Sequence, residues 1–153
     1  MNNETEITNE EINRYKKDSE EIHKKMPPAY CALMSFSKEL RRMTQTTNND
    51  LKGVVKKLHI IVFDSLALCF VAANTFDLRK KVLNLFNISS NIDIAYAGLH
   101  FLREHNGISL GQYGVLTGRL SKTEKQIINW LNTERRKIGL ASTEHQTQVN
   151  EIS

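Results

Sequence analysis

Apolar residues recur at intervals of three or four along four stretches of the chain, which is the spacing of one buried helix face. The stretches run from Pro27 to Met43, from Asp50 to Asn74, from Thr75 to about Glu104, and from Ser109 to beyond Leu131. Amphipathic helices joined by short links pack most simply as antiparallel neighbours. The pattern therefore predicts an all-α fold, in which residues 27–137 form an up-down antiparallel four-helix bundle.

Signals for the ends of helices lie between these stretches. Pro27 and Pro28 mark a helix start, because proline is tolerated in the first turn of a helix but not further along it. Thr75 is expected to cap the third helix and Ser109 the fourth, since a hydroxyl oxygen accepts from the free N–H groups of a first turn. The polar run 87–91 predicts a kink or a short break within the third helix.

Polar segments flank the predicted bundle on both sides. Residues 1–26 are an acidic segment, with seven acids against four bases in the first 24 residues, and we expect an extra polar N-terminal helix or arm. Residues 138–153 are polar and have almost no apolar periodicity, which predicts a disordered tail.

The second predicted helix is apolar on nearly all sides after Leu58, and a helix of that kind must be covered on all sides. In a chain of 153 residues this pattern hints at a subunit interface.

Asp64 lies inside this helix and Asp93 inside the third, and a buried carboxylate must be paired or protonated. We expect an ion pair inside the bundle or a polar contact at an interface. The alternative, a general acid or base, has no visible partner in the sequence.

Two features single out the fourth helix. Gly111, Gly114 and Gly118 each lower its helix propensity by about 1 kcal/mol relative to alanine, which predicts a close approach of helices near its start. Trp130 falls on the apolar face and is expected in the core, with a base-stacking platform as the alternative.

The formal net charge of +4 conceals an uneven distribution. Residues 25–137 hold 17 Lys and Arg against 8 Asp and Glu, whereas both ends of the chain are acidic. A basic domain captures polyanions, and nucleic acid is the usual polyanion in a cell. The alternative is a charged surface that only confers solubility. Five cationic clusters are the candidate nucleic-acid contacts: Arg41 and Arg42; Lys56 and Lys57; Arg79, Lys80 and Lys81; Arg119, Lys122 and Lys125; Arg135, Arg136 and Lys137.

Signatures of enzymatic chemistry are missing from the sequence, which lacks a Gly-rich phosphate loop, a G-x-S-x-G motif and an H-E-x-x-H motif. Cys31 and Cys69 are far apart and lack the close spacing of a zinc site. His100 and Glu104 can share a helix face, but an ordinary surface hydrogen bond explains that spacing better than a metal site does. We therefore expect no catalytic residue, no metal and no cofactor.

The compartment follows from what the chain lacks. No apolar run reaches the ~18 residues that a membrane span requires, and the N-terminal residues are too acidic and polar for a signal peptide. We expect a cytoplasmic protein without membrane contact.

The third and fourth helices carry a family pattern. The stretch from Asp93 to Arg103, with its Ala97-Gly98-Leu99 motif, resembles the accessory variability determinant proteins of diversity-generating retroelements. The turn from Ile108 to Tyr113 and the closing helix with Trp130 are similar to theirs. A sister group with the same architecture is encoded in intervening sequences of 23S ribosomal RNA genes.

This resemblance implies a four-helix bundle that assembles as a ring-like homopentamer, binds RNA or DNA on a basic surface and docks a reverse transcriptase. It implies a non-catalytic accessory protein that supports cDNA synthesis from a template RNA. The alternative hypothesis from the residues is a protein-interaction scaffold or regulator that contacts its partner through the apolar second helix and does not bind nucleic acid. A third hypothesis, an enzyme with a metal in the bundle core, requires metal in the purified protein.

Overall fold

The structure is a computed structural model that describes the backbone of residues 8–152, and the side chains of 8–139 except 19 and 21–25. Every regular element within residues 8–152 is helical, which confirms the all-α prediction. The elements are α1 (Asn9–Lys25), α2 (Pro28–Thr44), a short 3₁₀ helix (Asn49–Leu51), α3 (Lys52–Ala73), α4 (Leu78–Glu104) and α5 (Leu110–Ile152).

Four of these helices surround a shared core. α2 packs against α3 and α5, and α4 also packs against α3 and α5. The apolar stripes predicted from the sequence supply the centre. The largest fully buried apolar side chains on the four helices are Leu33, Phe36, Leu40, Leu58, Leu85, Ile88, Leu99, Leu102, Leu116, Leu120 and Ile127. Burial of these side chains is the main source of stability, because each contributes roughly 1.5–3 kcal/mol when it leaves water.

The start of α5 confirms the predicted cap. The Oγ of Ser109 accepts a hydrogen bond from the backbone N–H of Gln112 at 3.1 Å, and the Oε1 of Gln112 accepts from the N–H of Ser109 at 2.9 Å. This reciprocal capping box satisfies two N–H groups that the helix itself leaves unpaired. The proline signal is confirmed as well, since Pro28 is the first residue of α2.

The start of α4 differs from the prediction. Asp77, and not Thr75, caps this helix, and its Oδ1 accepts from the backbone N–H groups of Arg79 and Lys80. The Thr75 hydroxyl instead donates to the carbonyl of Val71 at the end of α3. A carboxylate is the stronger partner for a helix N-terminus, because its charge also interacts favourably with the helix dipole.

The middle of α4 also differs from the prediction, since the helix continues through 87–91 without a break. Ile88 is buried in the core, and the Nδ2 of Asn91 donates to the Oγ of Ser65 on α3 at 3.1 Å. The Asn91 side chain therefore bonds to a neighbouring helix and does not compete for the backbone of its own.

The two ends of the chain extend as helices. The N-terminal arm is helical over Asn9–Lys25, one of the two predicted forms, and its residues 9–18 are exposed. α5 carries the helical backbone to Ile152, where the sequence predicts a disordered tail over 138–153. Beyond Lys137 the chain has no proline and only Gly139, so no strong helix breaker stops the helix. Residues 1–7 and Ser153 lie outside the described residues.

The close helix approach occurs on α4, at Gly98. A Cβ on Gly98 would lie 2.5 Å from the Cδ2 of Leu58 on α3, whereas Gly114 and Gly118 face open space. The prediction that placed the approach at the start of α5 is therefore wrong. Glycine at 98 allows α3 and α4 to pack more closely than any larger residue would.

α3 is only partly covered by the other helices of the chain. The expected ion pair of Asp64 or Asp93 inside the bundle is therefore wrong, whereas the polar contact at a subunit interface stays a prediction. Asp64 and Asp93 are exposed on the outward sides of α3 and α4 and are not buried in the bundle. Large apolar side chains on the same two helices are also exposed: Ile60, Phe63, Phe70, Val71, Leu83, Phe86, Ile94 and Phe101. The apolar stripe of α3 is wider than the surface that α2 and α4 cover. Within the described residues, no helix is both long enough and apolar enough to cross a membrane.

Candidate nucleic-acid interface

Two of the five predicted cationic clusters converge where α4 begins. The Nζ of Lys137 on α5 lies 3.2 Å from the Oε1 of Glu134, and the Nζ of Lys81 on α4 lies 3.9 Å from the same oxygen. The first turn of α4 and the segment 134–137 of α5 are therefore neighbours. We call the combined surface the basic end, and its members are Arg79, Lys80, Lys81, Arg135, Arg136 and Lys137.

Few negative charges oppose these six cations. Two carboxylates lie in the same segments, Asp77 and Glu134. Asp77 caps the N-terminus of α4, and Glu134 is only 3% exposed. Arg79, Lys80, Arg135, Arg136 and Lys137 are all exposed. These two segments consequently carry an excess of positive charge, as contact with phosphate requires.

A cation–π contact orients Arg135, one member of the basic end. The guanidinium of Arg135 lies over the ring of Phe86 on α4, with 5.7 Å from its Cζ to the ring centroid. A cation over an aromatic face is held by the quadrupole of the ring. Phe86 directly follows the buried Leu85 on α4 and is itself 44% exposed. Its ring is therefore available to support a surface cation.

Two further clusters lie at the opposite end of the helices. Arg41 and Arg42 are in the last turn of α2, and Lys56 and Lys57 are in the first turns of α3. Partial burial, and then the charge of Arg41, hold the pKa of His59 below its ordinary value, so α2 and α3 meet here. From Lys57 to the end of α3 the helix rises by roughly 24 Å, which separates this cluster from the basic end.

The cluster of Arg119, Lys122 and Lys125 on α5 does not act as one unit, because Arg119 contacts α2 whereas the two lysines are exposed. The Nη1 of Arg119 donates to the Oγ of Ser35 on α2 at 2.7 Å, and its Nη2 lies 3.6 Å from the Oε1 of Glu39. Glu39 also pairs with Arg42 at 2.8 Å. Arg119 thus connects α5 to α2 and is partly neutralised. Lys122 and Lys125 of the same cluster are exposed.

A cavity of about 450 Å³ opens beside the basic end. It lies where α2 begins, α3 ends, and α4 and α5 pass each other. Its lining residues are Pro27, Pro28, Ala29, Ala73, Lys81, Gln126, Asn129, Trp130 and Thr133. Sites for small ligands are concave and mostly apolar, with a few polar groups that fix orientation, and this lining fits that description.

Glu134 organises the polar groups around the cavity. Its Oε1 accepts from the indole Nε1 of Trp130 at 3.3 Å and from the Nζ of Lys137. Its Oε2 is buried and has no hydrogen-bond partner among the described residues. Sequence reasoning did not find Glu134, although it continues the buried spacing of Ile127 and Leu131. A carboxylate at a position of the buried apolar face of α5 was the signal in the sequence that could have revealed it.

The other titratable groups with shifted pKa values lie in the packing between helices and outside the basic end. Burial raises the pKa of Cys69 to about 12, and burial followed by the charge of Glu124 raises the pKa of Tyr96. The hydroxyl of Tyr96 donates to the Oε2 of Glu124 at 3.2 Å, which links α4 to α5. His100 and Glu104 are both exposed. Among the described side chains, no three His, Cys, Asp or Glu are grouped so as to hold a metal ion.

No family model, curated protein or solved structure matches the chain. The resemblance to the accessory variability determinant proteins, which depends on the Ala97-Gly98-Leu99 motif and Trp130, therefore stays a prediction. The features of the molecule that bear on function are the two cationic ends, the cavity and the exposed apolar residues of α3 and α4.

Proposed function

We propose that the protein is a non-catalytic nucleic-acid-binding accessory of a reverse transcriptase, and that it supports cDNA synthesis from template RNA. The observation that carries the nucleic-acid part is the convergence of two cationic clusters, from α4 and α5, into the basic end. The charge excess of residues 25–137 supports the same reading. The reverse transcriptase is proposed from the family resemblance.

The mechanism of binding is electrostatic. A phosphate backbone that crosses the basic end displaces its counterions, and their release supplies the affinity. Contacts of this kind position a strand without reading its sequence. The protein accordingly holds RNA or DNA in place for a polymerase and does not itself transform it. We include in this proposal the up-down antiparallel four-helix bundle, formed by α2 to α5, and its assembly into a homo-oligomer.

Filter binding across a salt series tests the nucleic-acid part. A radiolabelled single-stranded RNA, its DNA counterpart and their hybrid are titrated with the full chain. Arg79→Glu/Arg136→Glu removes two contacts at the basic end. We expect the slope of log K against log salt to become shallower by roughly 1–2, since each phosphate contact contributes about 0.7–0.9.

The matched control changes the charge by the same amount elsewhere. Lys38 on α2 and Lys52 on α3 are exposed and belong to none of the five clusters. Lys38→Glu/Lys52→Glu should reduce affinity less than the pair at the basic end. Equal losses would show that only net charge matters, and no complex at low salt would refute nucleic-acid binding.

The accessory role is tested with the enzyme itself. A reverse transcriptase gene beside the gene for this protein is expected. Co-expressed, the two proteins should co-purify, and adding this protein to a primer-extension reaction should raise the cDNA yield. An enzyme that neither co-purifies nor responds would contradict the partnership while leaving nucleic-acid binding intact.

A second candidate function, a protein-interaction scaffold, is favoured by the exposed apolar side chains of α3 and α4. Phe63 is 68% exposed and Phe70 is 51% exposed on α3. A separate groove between α3 and α4 has Ala67, Val71 and Asn87 in its lining. Exposed apolar surface of this extent marks contact sites in other proteins.

The two candidate functions separate in one comparison. Phe63→Ser/Phe70→Ser should abolish a protein contact or dissociate a homo-oligomer, as sedimentation would show, without changing nucleic-acid affinity. Arg79→Glu/Arg136→Glu should do the reverse. A scaffold function would be favoured if only the phenylalanine variant lost activity.

A further inference from the structure

We propose that the cavity beside Trp130 binds one unpaired nucleotide of the strand that lies on the basic end, with its base against the indole and its phosphate on Lys81. This inference rests on the proposed nucleic-acid function and adds a specific site to it. It predicts a preference for single strands that a uniformly cationic surface does not have.

The walls of the cavity suit a base. Pro27, Pro28, Ala29 and Ala73 line it with apolar groups, and the indole of Trp130 completes this surface. The faces of all four bases are flat and apolar, and stacking on an aromatic side chain is tolerant of sequence. An unpaired base exposes such faces, whereas a paired base in a duplex buries them.

The polar members of the lining suit the edges of a base. Gln126 and Asn129 each carry a carboxamide, which donates and accepts hydrogen bonds, and Thr133 carries a hydroxyl. Base edges also present donors and acceptors side by side. A purely apolar peptide side chain would leave these groups without partners, and that loss disfavours it as the occupant.

The position of Lys81 suits a phosphate. Its side chain is 16% exposed, and its ammonium lies 3.9 Å from the Oε1 of Glu134, which also accepts from Lys137 and from the indole of Trp130. One carboxylate is thus shared between two ammonium groups, which leaves a net positive charge. An ammonium has three N–H donors, so Lys81 can bind a phosphate while it keeps Glu134 as its neighbour.

The first turn of α2 adds positive potential at the same place. Pro27, Pro28 and Ala29 line the cavity, and no side chain caps the N-terminus of this helix. The N-terminal end of a helix carries a partial positive charge of about one half. The cations of α4 and α5 and this helix terminus therefore act on one phosphate position from different sides.

Intrinsic fluorescence tests the proposal directly, because Trp130 is the single tryptophan of the chain. The full chain is titrated at low salt with three probes: deca-uridylate, deca-thymidylate and a blunt ten-base-pair duplex. We expect a saturable change in tryptophan emission with at least one of the single strands. The duplex should produce a much smaller change, since it offers no unpaired base inside its length.

A variant that fills the cavity without altering charge tests the location. Ala73→Leu places a larger side chain in the lining, and Ala97→Leu makes the same replacement at an exposed position of α4 outside it. Ala73→Leu should raise the midpoint of the single-strand titration about tenfold, the value of one stacked base, and Ala97→Leu should change it less than about twofold. Circular dichroism of both variants verifies folding.

A charge variant keeps the test decisive if Ala73→Leu does not fold. Lys81→Gln and the control Lys38→Gln each remove one positive charge, and only the first lies in the cavity. Lys81→Gln should weaken single-strand binding about tenfold, because the charge-assisted hydrogen bond to the phosphate is lost. Equal effects of the two lysine variants would overturn the site.

The outcomes distinguish this inference from the function on which it rests. A salt-dependent complex on filters, with unchanged emission or with Ala73→Leu equal to Ala97→Leu, overturns the nucleotide site and leaves nucleic-acid binding standing. An equal emission change with duplex and single strand also overturns the site. Absence of any complex by either method overturns both.

Discussion

The Nζ of Lys81 on α4 lies 3.9 Å from the Oε1 of Glu134 on α5, and both side chains are largely shielded from water, with exposures of 16% and 4%. This pair joins the start of one helix to the middle of another, beside the cavity. Breaking a buried ion pair from one side is costly, because it strands the remaining charge.

Glu134→Gln should lower the free energy of unfolding by about 1–3 kcal/mol, since Lys81 then loses its counter-charge. Lys81→Met/Glu134→Gln should recover part of that loss. Urea denaturation of the two single variants and the double variant measures the coupling. Glu104→Gln, at an exposed position, is the control and should change stability by less than about 0.5 kcal/mol. Additive effects would mean that the two side chains do not interact.

Gly98→Ala should destabilise the protein by about 1–2 kcal/mol although alanine favours helices, because the new Cβ would lie 2.5 Å from Leu58. Gly114→Ala is the matched control. Its Cβ meets nothing within 4 Å, so it should raise stability by about 0.5–1 kcal/mol through helix propensity alone.

Thermal or urea unfolding of the two glycine variants gives the comparison. A stabilising Gly98→Ala would show that α3 and α4 pack less closely than the structure has them. Gly98→Ala/Leu58→Ala should be less destabilised than the sum of its single variants, because the smaller residue at 58 removes the clash.

Cys69 should be unreactive in the folded protein, because burial raises the pKa of its thiol to about 12. At pH 8 only about one thiol in ten thousand is then the reactive thiolate. Cys31 is half-buried and should be alkylated first by iodoacetamide. Peptide mass spectrometry reports both sites, and in denaturant the two should react alike. Fast labelling of folded Cys69 would contradict the packing of α3.

The raised pKa of Cys69 also makes the stability of the fold depend on pH. Since the folded protein keeps the thiol protonated, its contribution to stability is fully present below the ordinary pKa of 9.0 and is lost as the pH rises towards 12. Cys69→Ala should flatten this alkaline decline in stability, whereas Cys31→Ala should leave it in place.

The pKa of His59 should lie below its ordinary value of 6.5, because of partial burial and the charge of Arg41. A histidine that prefers to be neutral in the fold adds stability above pH 6.5, and that stability is lost as the pH falls through the lowered pKa. Arg41→Gln should move the pKa of His59 upwards, as an NMR titration of the imidazole would show.

Arg42→Gln is the control for that titration. Arg42 is the next residue along α2 but pairs with Glu39, so its loss should leave the pKa of His59 nearly unchanged. If both arginine variants moved the pKa equally, Arg41 would have no special proximity to His59, and the meeting of α2 and α3 at this end would be in question.

The helices and their buried faces follow from local information. The three-to-four spacing of side chains such as Leu40, Leu58, Leu99 and Leu120 predicts the core correctly, because burial of an apolar stripe is the largest favourable term available to a helix. Ser109 was predictable as a cap for a similar reason, since the capping box is complete within four residues.

Several of the wrong predictions concern contacts between elements. Spacing along α5 does not reveal that Gly114 faces open space while Gly98 on α4 faces Leu58, because the facing helix decides that. An ion pair of Asp64 or Asp93 inside the bundle was expected because their neighbours are apolar, yet both residues lie on outward faces. Glu134 was overlooked because its burial and its contact with Lys81 depend on the packing of α4 against α5.

By itself, the amino-acid sequence determined that the chain is helical, where its apolar faces lie, and that its middle is cationic, since each of these depends on residue type and short-range spacing. The tertiary structure alone decided which cations are neighbours and which are neutralised. It placed Lys81 beside Trp130 at a cavity, and it paired Arg119 with Glu39 across two helices. Electrostatic potential and cavity shape depend on distances between residues far apart in the chain, and only packing sets those distances.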